Sequence, residues 1–155
     1  SRPKAMVTKR STFGFTLIEL VIALLIGSIL TSIALSSFGN ASARFAVRGA
    51  RDAFVAMQAR GRAQSIEMGQ TVRVYLLPST DRGILLAADG TWLEDVDFRE
   101  RFDVDIQGIN TRLCMNTRGY ADEECNSFTT PRAFHFVINA DSSSVTMLPL
   151  GQLIY

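Results

Sequence analysis

The stretch that decides the reading is FTLIELVIALLIGSILTSIALSSF, from Phe15 to Phe38, whose single charged residue is Glu19. As a helix it spans roughly 36 Å, enough to cross the ~30 Å hydrocarbon core of a bilayer. On its N-terminal side, residues 1–14 carry Arg2, Lys4, Lys9 and Arg10 with no acid, and no lysine follows Lys9 anywhere in the chain. Positive charge on that flank predicts that this end stays in the cytoplasm and that the remainder lies across the membrane. A secretory signal also opens with basic residues, but its apolar core is about 7 to 15 residues long and ends at a small-residue cut site. The longer run here predicts a retained membrane segment. A plain anchor does not explain Glu19, a carboxylate early in an apolar run, which is costly there without a partner.

Working outward, Gly14-Phe15-Thr16-Leu17-Ile18-Glu19-Leu20 after a short basic leader resembles the processing and assembly motif of type IV pilins and type II secretion pseudopilins. The resemblance implies that prepilin peptidase cuts between Gly14 and Phe15 and that Phe15 is methylated. It also implies that the apolar helix is retained, first in the inner membrane with a periplasmic head and then in a filament with other pilin or pseudopilin subunits. The chemistry of Glu19 agrees. Cutting before Phe15 creates an α-ammonium at the bilayer edge, where a helix N-terminus adds partial positive charge. A carboxylate one turn inside can pair with that ammonium on its own chain or a neighbour's, and an unpaired partner in low dielectric is strongly unfavourable. The competing reading is a Glu19 side chain that simply snorkels to the interface.

Beyond the apolar run the chain continues as ASARFAVRGARDAFVAMQARGRAQSIEMG, with no proline between Pro3 and Pro78. Phe45, Gly49, Ala53, Ala56 or Met57 and the stem of Arg60 recur every three or four positions, which predicts an amphipathic helix to Met68 with Gly69 as its cap. Residues 15–68 would then form one helix about 80 Å long, weakened locally by Gly27, Gly39, Gly49 and Gly61. Arg44, Arg48, Arg51 and Arg62 share one face of it. Three readings of that face stay open: a solvated surface, a contact for acidic neighbouring subunits, or a surface for nucleic acid or anionic lipid.

From Gln70 the periodicity becomes two. Val72, Val74 and Leu76 alternate with Arg73 and Tyr75, Phe102, Val104 and Ile106 with Asp103 and Asp105, and Phe134, Phe136 and Ile138 with His135 and Val137. Further strands are expected near Ile84–Ala88, Trp92–Phe98 and Val145–Leu150, with turns at 78–81, 88–90 and 139–142. The fold class is therefore α+β: a long N-terminal helix packed against an antiparallel sheet or sandwich head. Its segments are a leader at 1–14, a membrane and assembly helix at 15–38, an amphipathic helix at 39–68 and a β-rich head at 69–155. Ala59-Arg60, Ala63, Gly69-Gln70, Met115-Asn116-Thr117-Arg118-Gly119 and Leu150-Gly151-Gln152-Leu153 are similar to patches of the GspH/FimT group of minor pseudopilins and pilins. That group's glycine-tryptophan turn is matched at most by Trp92. Cys114 and Cys125, outside the cytoplasm on this topology, are expected to form a disulfide, against the alternative of two free buried thiols.

Charge separates these segments. The whole chain has sixteen basic and fifteen acidic residues, net +1. The leader contributes +4, the apolar run −1, the outer helix +3 and the head, with seven arginines and twelve acids, −5. An acidic head without clustered positive charge argues against direct DNA binding by it, so a DNA-uptake module working through the arginine face is the second reading. The acidic groups at 94–105 and 122–124 read as solvated faces rather than Ca²⁺ ligands. His135 reads as a surface strand residue, and Ser142-Ser143-Ser144 as a turn. One histidine and two cysteines give no metal site, and no cofactor, small-molecule substrate or catalytic residue is expected.

Overall fold

The computed structural model describes residues 16–155, with the backbone alone at 35–38 and 40. Gly14, Phe15 and the leader therefore lie outside the described residues. The first helix, α1, runs Leu17–Met68. By internal contacts the chain divides into two units, one ending at Gly39 and one from Asn40 to Tyr155, and each is described by itself.

In the first unit α1 begins on a local signal. Thr16 stands before the first helical turn, where its Oγ1 accepts a hydrogen bond from the Glu19 N–H at 3.3 Å and its carbonyl accepts from the Leu20 N–H at 3.2 Å. Thr16-Leu17-Ile18-Glu19 thus has the Thr-x-x-Glu pattern of a capping box, and it places the acid in the first turn, where the helix dipole favours it. Further along, Ser28 Oγ donates to the Leu25 carbonyl at 2.8 Å and Thr31 Oγ1 to the Gly27 carbonyl at 2.7 Å. Both hydroxyls are satisfied within the helix, as an apolar solvent requires.

In the second unit the remainder of α1 packs against eight strands and one short helix. The strands are β1 (Val72–Leu77), β2 (Arg82–Ala87), β3 (Trp92–Asp97), β4 (Asp105–Gln107), β5 (Thr111–Met115), β6 (Arg132–Ile138), β7 (Asp141–Met147) and β8 (Leu153–Ile154), with α2 at Phe98–Phe102. They form two antiparallel four-stranded sheets, ordered β3-β2-β1-β5 and β4-β6-β7-β8. The expected α+β layout of long helix and antiparallel head is present.

Helix and both sheets share one core. Val47, Ala50, Phe54 and Met57 from α1 meet Val74, Leu76, Leu85, Leu113 and Met115 from the first sheet and Phe134, Phe136, Val145 and Met147 from the second. Phe54 joins the layers, its ring 6.4 Å from Phe134 and 6.3 Å from Phe136. Gly61 sits where helix and first sheet approach closely: a Cβ there would lie 3.1 Å from Val74 Cγ2 and 3.2 Å from Leu85 Cδ2. Its lost helix propensity is thus exchanged for close packing. α1 ends at Met68 with Gly69 in the left-handed region at φ +62°, as its cap position demands.

Four expectations need correction. The buried stripe of the outer helix is Val47, Ala50, Phe54, Met57, Gln58, Gly61 and Ser65, rotated roughly 130° from the stripe begun at Phe45. Phe45 is itself 73% exposed. The stripe that wins has its large side chains, Val47, Phe54 and Met57, at true heptad-like spacing, whereas the expected one alternated Phe45 with glycine and alanine. Phe102 ends α2 rather than opening a strand. Asp97 Oδ1 caps that helix by accepting from the Glu100 N–H at 2.9 Å, and Asp103 closes it at φ 57°. Ser142, Ser143 and Ser144 belong to β7, opposite Val137, Phe136 and His135, because Asn139 at φ 51° lets residues 139–140 turn the chain alone. Finally, β5 and β8 appear where no strand was expected.

Candidate functional site

The sequence singles out residues in three places, and the structure treats each differently. The first is the start of α1. Leu17–Ala34 has a mean hydropathy of 2.4, none of it is buried within the structure, and its length and composition suffice to cross a membrane. Glu19 is exposed there as the segment's single charge. Its main-chain amide donates to Thr16 Oγ1, and its carboxylate makes no ion pair or hydrogen bond among the described residues.

The second is the arginine face. At roughly 100° per residue, Arg44, Arg48, Arg51 and Arg62 fall within about 60° of one another, along one flank of the buried stripe. That flank brings three of them onto their own head. Arg44 Nε lies 3.3 Å from Asp141 Oδ1. The Arg51 guanidinium stands 5.1 Å from the centre of the Tyr155 ring while its Nη2 meets Asp52 Oδ1 at 2.7 Å. Arg62 Nη2 donates to the Gly151 carbonyl at 3.1 Å. Arg48 alone of the four has no ion pair or hydrogen bond among the described residues. On the opposite flank Arg60 grips Glu94 with Nε and Nη2 at 2.9 and 2.5 Å. That hydrogen bond raises the guanidinium above its usual range. The face is therefore less a free basic surface than a set of clasps between helix and head.

The third is the junction at the C-terminal end of α1, where scattered patches of the sequence converge. Gln58 Nε2 donates to the Gly151 carbonyl at 2.7 Å, alongside Arg62. Gly151 closes its turn through an N–H to the Leu148 carbonyl at 2.9 Å. The 116–120 turn is held by Asn116, whose Oδ1 accepts from the amides of Arg118 and Tyr120 at 3.0 and 3.1 Å. Gly119, at φ +76°, lies so close to α1 that a Cβ would stand 2.8 Å from Ile66 Cδ1. Residues 58–66, 116–121 and 148–151 thus form one assembly, in which Gly119 and Gly151, at φ +76° and +77°, hold backbone conformations that other residues rarely adopt.

Cys114 and Cys125 are joined as a disulfide with Cα atoms 5.8 Å apart. Just past the loop it closes, residues 126–127 cover the outer edge of β5: Ser127 Oγ accepts from the Arg112 N–H at 2.8 Å and Asn126 Oδ1 from the Cys114 N–H at 2.8 Å. Several acids near 81–105 are likewise committed to structure. Asp95 pairs with Arg82, and Asp97 caps α2. Asp81, buried, accepts from the Ile106 N–H at 2.6 Å and from Arg99 at 3.0 Å, which also pairs with Asp105. The hydrogen bond to Asp81, with the nearby Asp105 charge, raises the Arg99 guanidinium. Among the described residues no group of three or more His, Cys, Asp and Glu could hold a metal ion. His135 is exposed on β6 opposite Ser144.

The capping role of Thr16 and the clasps of Arg44, Arg51 and Arg62 were not foreseen. Thr-x-x-Glu was legible as a cap. The clasps depend on where the head's turns return, which spacing along one helix does not encode.

Comparison with known proteins adds one match. Residues 9–35 match the prokaryotic N-terminal methylation motif. No curated protein and no solved structure matches the chain.

Proposed function

We propose that the chain is a minor pilin or minor pseudopilin, similar to the GspH/FimT group. On this reading it is a non-enzymatic subunit of a type IV pilus or a type II secretion pseudopilus. The observation that carries this reading is the methylation motif at residues 9–35 running directly into an exposed apolar helix whose only charge is Glu19. Prepilin peptidase removes the leader at Gly14, the new amino terminus at Phe15 is methylated, and the helix waits in the inner membrane with the head in the periplasm. Assembly then transfers the apolar face from lipid to a bundle of neighbouring helices. Glu19 pairs there with an N-terminal ammonium, because an unpaired carboxylate inside such a bundle is strongly penalised.

The junction of residues 58–66, 116–121 and 148–151 supports the narrower kinship, since several of the sequence patches similar to that group meet there. The head's net charge of −5 and the commitment of Arg44, Arg51 and Arg62 to the head argue for protein contacts over nucleic acid. The test is incorporation of Glu19→Ala into filaments sheared from cells. Membrane insertion is expected to be retained and incorporation strongly reduced. Unchanged incorporation contradicts the role of Glu19, and tight, salt-sensitive binding of duplex DNA contradicts the preference for protein partners.

A further inference from the structure

The outer face of the first sheet, turned away from α1, carries a feature at odds with the acidic head. Tyr75 on β1 lies directly opposite Arg112 on β5, and between them opens a surface cleft of about 250 Å³ lined by Tyr75, Leu77, Asn110, Thr111, Arg112 and Ser127. None of these residues is acidic, although the head carries twelve acids against seven arginines. Arg112 is fixed from behind. Its Nε donates to the Cys125 carbonyl at 3.0 Å, in the loop closed by the Cys114–Cys125 disulfide, and its main-chain amide donates to Ser127 Oγ at 2.8 Å. Asn110 is spent on Ser79, accepting from its N–H at 3.2 Å and donating to its Oγ at 2.9 Å. The groups left without a partner among the described residues are the terminal nitrogens of Arg112 and the Tyr75 hydroxyl, above the partly buried Leu77.

We propose that this cleft is a docking site for an acidic, extended peptide segment of a partner protein, with one carboxylate on Arg112 and Tyr75 and a neighbouring apolar side chain on Leu77. A guanidinium already oriented by one hydrogen bond loses little freedom on presenting its remaining N–H groups to a carboxylate, and Arg and Tyr are favoured anchors at interfaces. Arg73, on the same face and two residues along β1, adds positive charge with no ion pair of its own among the described residues. The site needs neither membrane nor filament, so it stands apart from the reading of α1. A second copy of this chain, offering its exposed Glu123 and Glu124, is the rival occupant.

The test is fluorescence anisotropy of a labelled peptide alternating aspartate with leucine, titrated with the full-length protein in detergent micelles. The aspartate peptide is expected to bind more tightly than a lysine-leucine control and to weaken as salt rises. Arg112→Gln is expected to weaken binding about tenfold and Tyr75→Phe roughly threefold, while Arg118→Gln, an exposed arginine outside the cleft, leaves it unchanged. If Arg112→Gln fails to fold, Arg112→Lys, which keeps the charge and loses the fork, is expected to bind the peptide less tightly than the parent. Equal binding of both peptides, indifference to Arg112 and Tyr75, or no binding overturns the proposal. So does self-association, by sedimentation, that Glu123→Gln with Glu124→Gln abolishes.

Discussion

Leu17–Ala34 and the stretch from Val47 to Ser65 belong to one helix, yet they solve the problem of apolar surface in opposite ways. In the first, leucine and isoleucine occur all around the helix and none is buried within the structure. In the second, the large apolar side chains Val47, Phe54 and Met57 lie on a stripe that both sheets cover, while the flanks carry arginines. The first stretch needs a solvent or partners from outside the chain, and the second has already found its partners in the head. Helical backbone is common to both, so secondary structure says nothing about which part is finished. The distribution of side chains around the axis does.

Substitutions that separate the two stretches give the largest expected effects. Phe54→Ala removes the ring joining helix and second sheet and is expected to cost the head about 3 to 5 kcal/mol, read by chemical denaturation in detergent. Leu24→Ala, of similar character but in the outward-facing stretch, is expected to leave that transition unmoved. An equal loss at both positions would erase the contrast. Next in size, replacing Cys114 and Cys125 together by alanine is expected to cost about 3 kcal/mol through the freed loop, again only in the head's transition. Gly61→Val is expected to cost about 1 to 3 kcal/mol by overpacking against Val74 and Leu85. Gly27→Val, where nothing lies within 4 Å, is expected to be tolerated.

The two stretches were also unequally legible. Length, the basic flank and the lone Glu19 identify the first from sequence, because a bilayer imposes composition rather than register. In the second, the helix and its end at Met68 and Gly69 follow from periodicity, but the inward face does not. Phe45, two residues before the stretch, reads as core, yet it stays 73% exposed, because burial is decided by where the sheets lie. The same limit hid α2, which needs Asp97 and Asp103 to act as caps, and β7, whose serines pair by register with β6 despite weak strand propensity. The disulfide was accessible from compartment and cysteine count. The junction of 58–66 with the two glycine turns was visible only as disconnected patches.

The clasps that bind the second stretch to the head should be individually small. Arg60→Ala is expected to cost no more than about 1 kcal/mol, since exposed ion pairs contribute little, and less at high salt. Smaller still is the effect at Asp89, whose carboxyl is held below its usual range by hydrogen bonds from Thr91. A depressed pKa means a contribution present above the ordinary carboxylate value and lost as pH falls through the folded one. Asp89→Asn is therefore expected to lower stability slightly at neutral pH, leave it unchanged at pH below the folded value, and so flatten the acid limb of the stability profile.

The central claim is that the first stretch is finished outside the chain, by processing and assembly, and mass spectrometry of the protein extracted from membranes of a host with prepilin peptidase tests it most directly. The account predicts a mature chain that begins at N-methylated Phe15 and retains Glu19. A chain that keeps residues 1–14 intact, or one cut beyond the apolar helix, would contradict it.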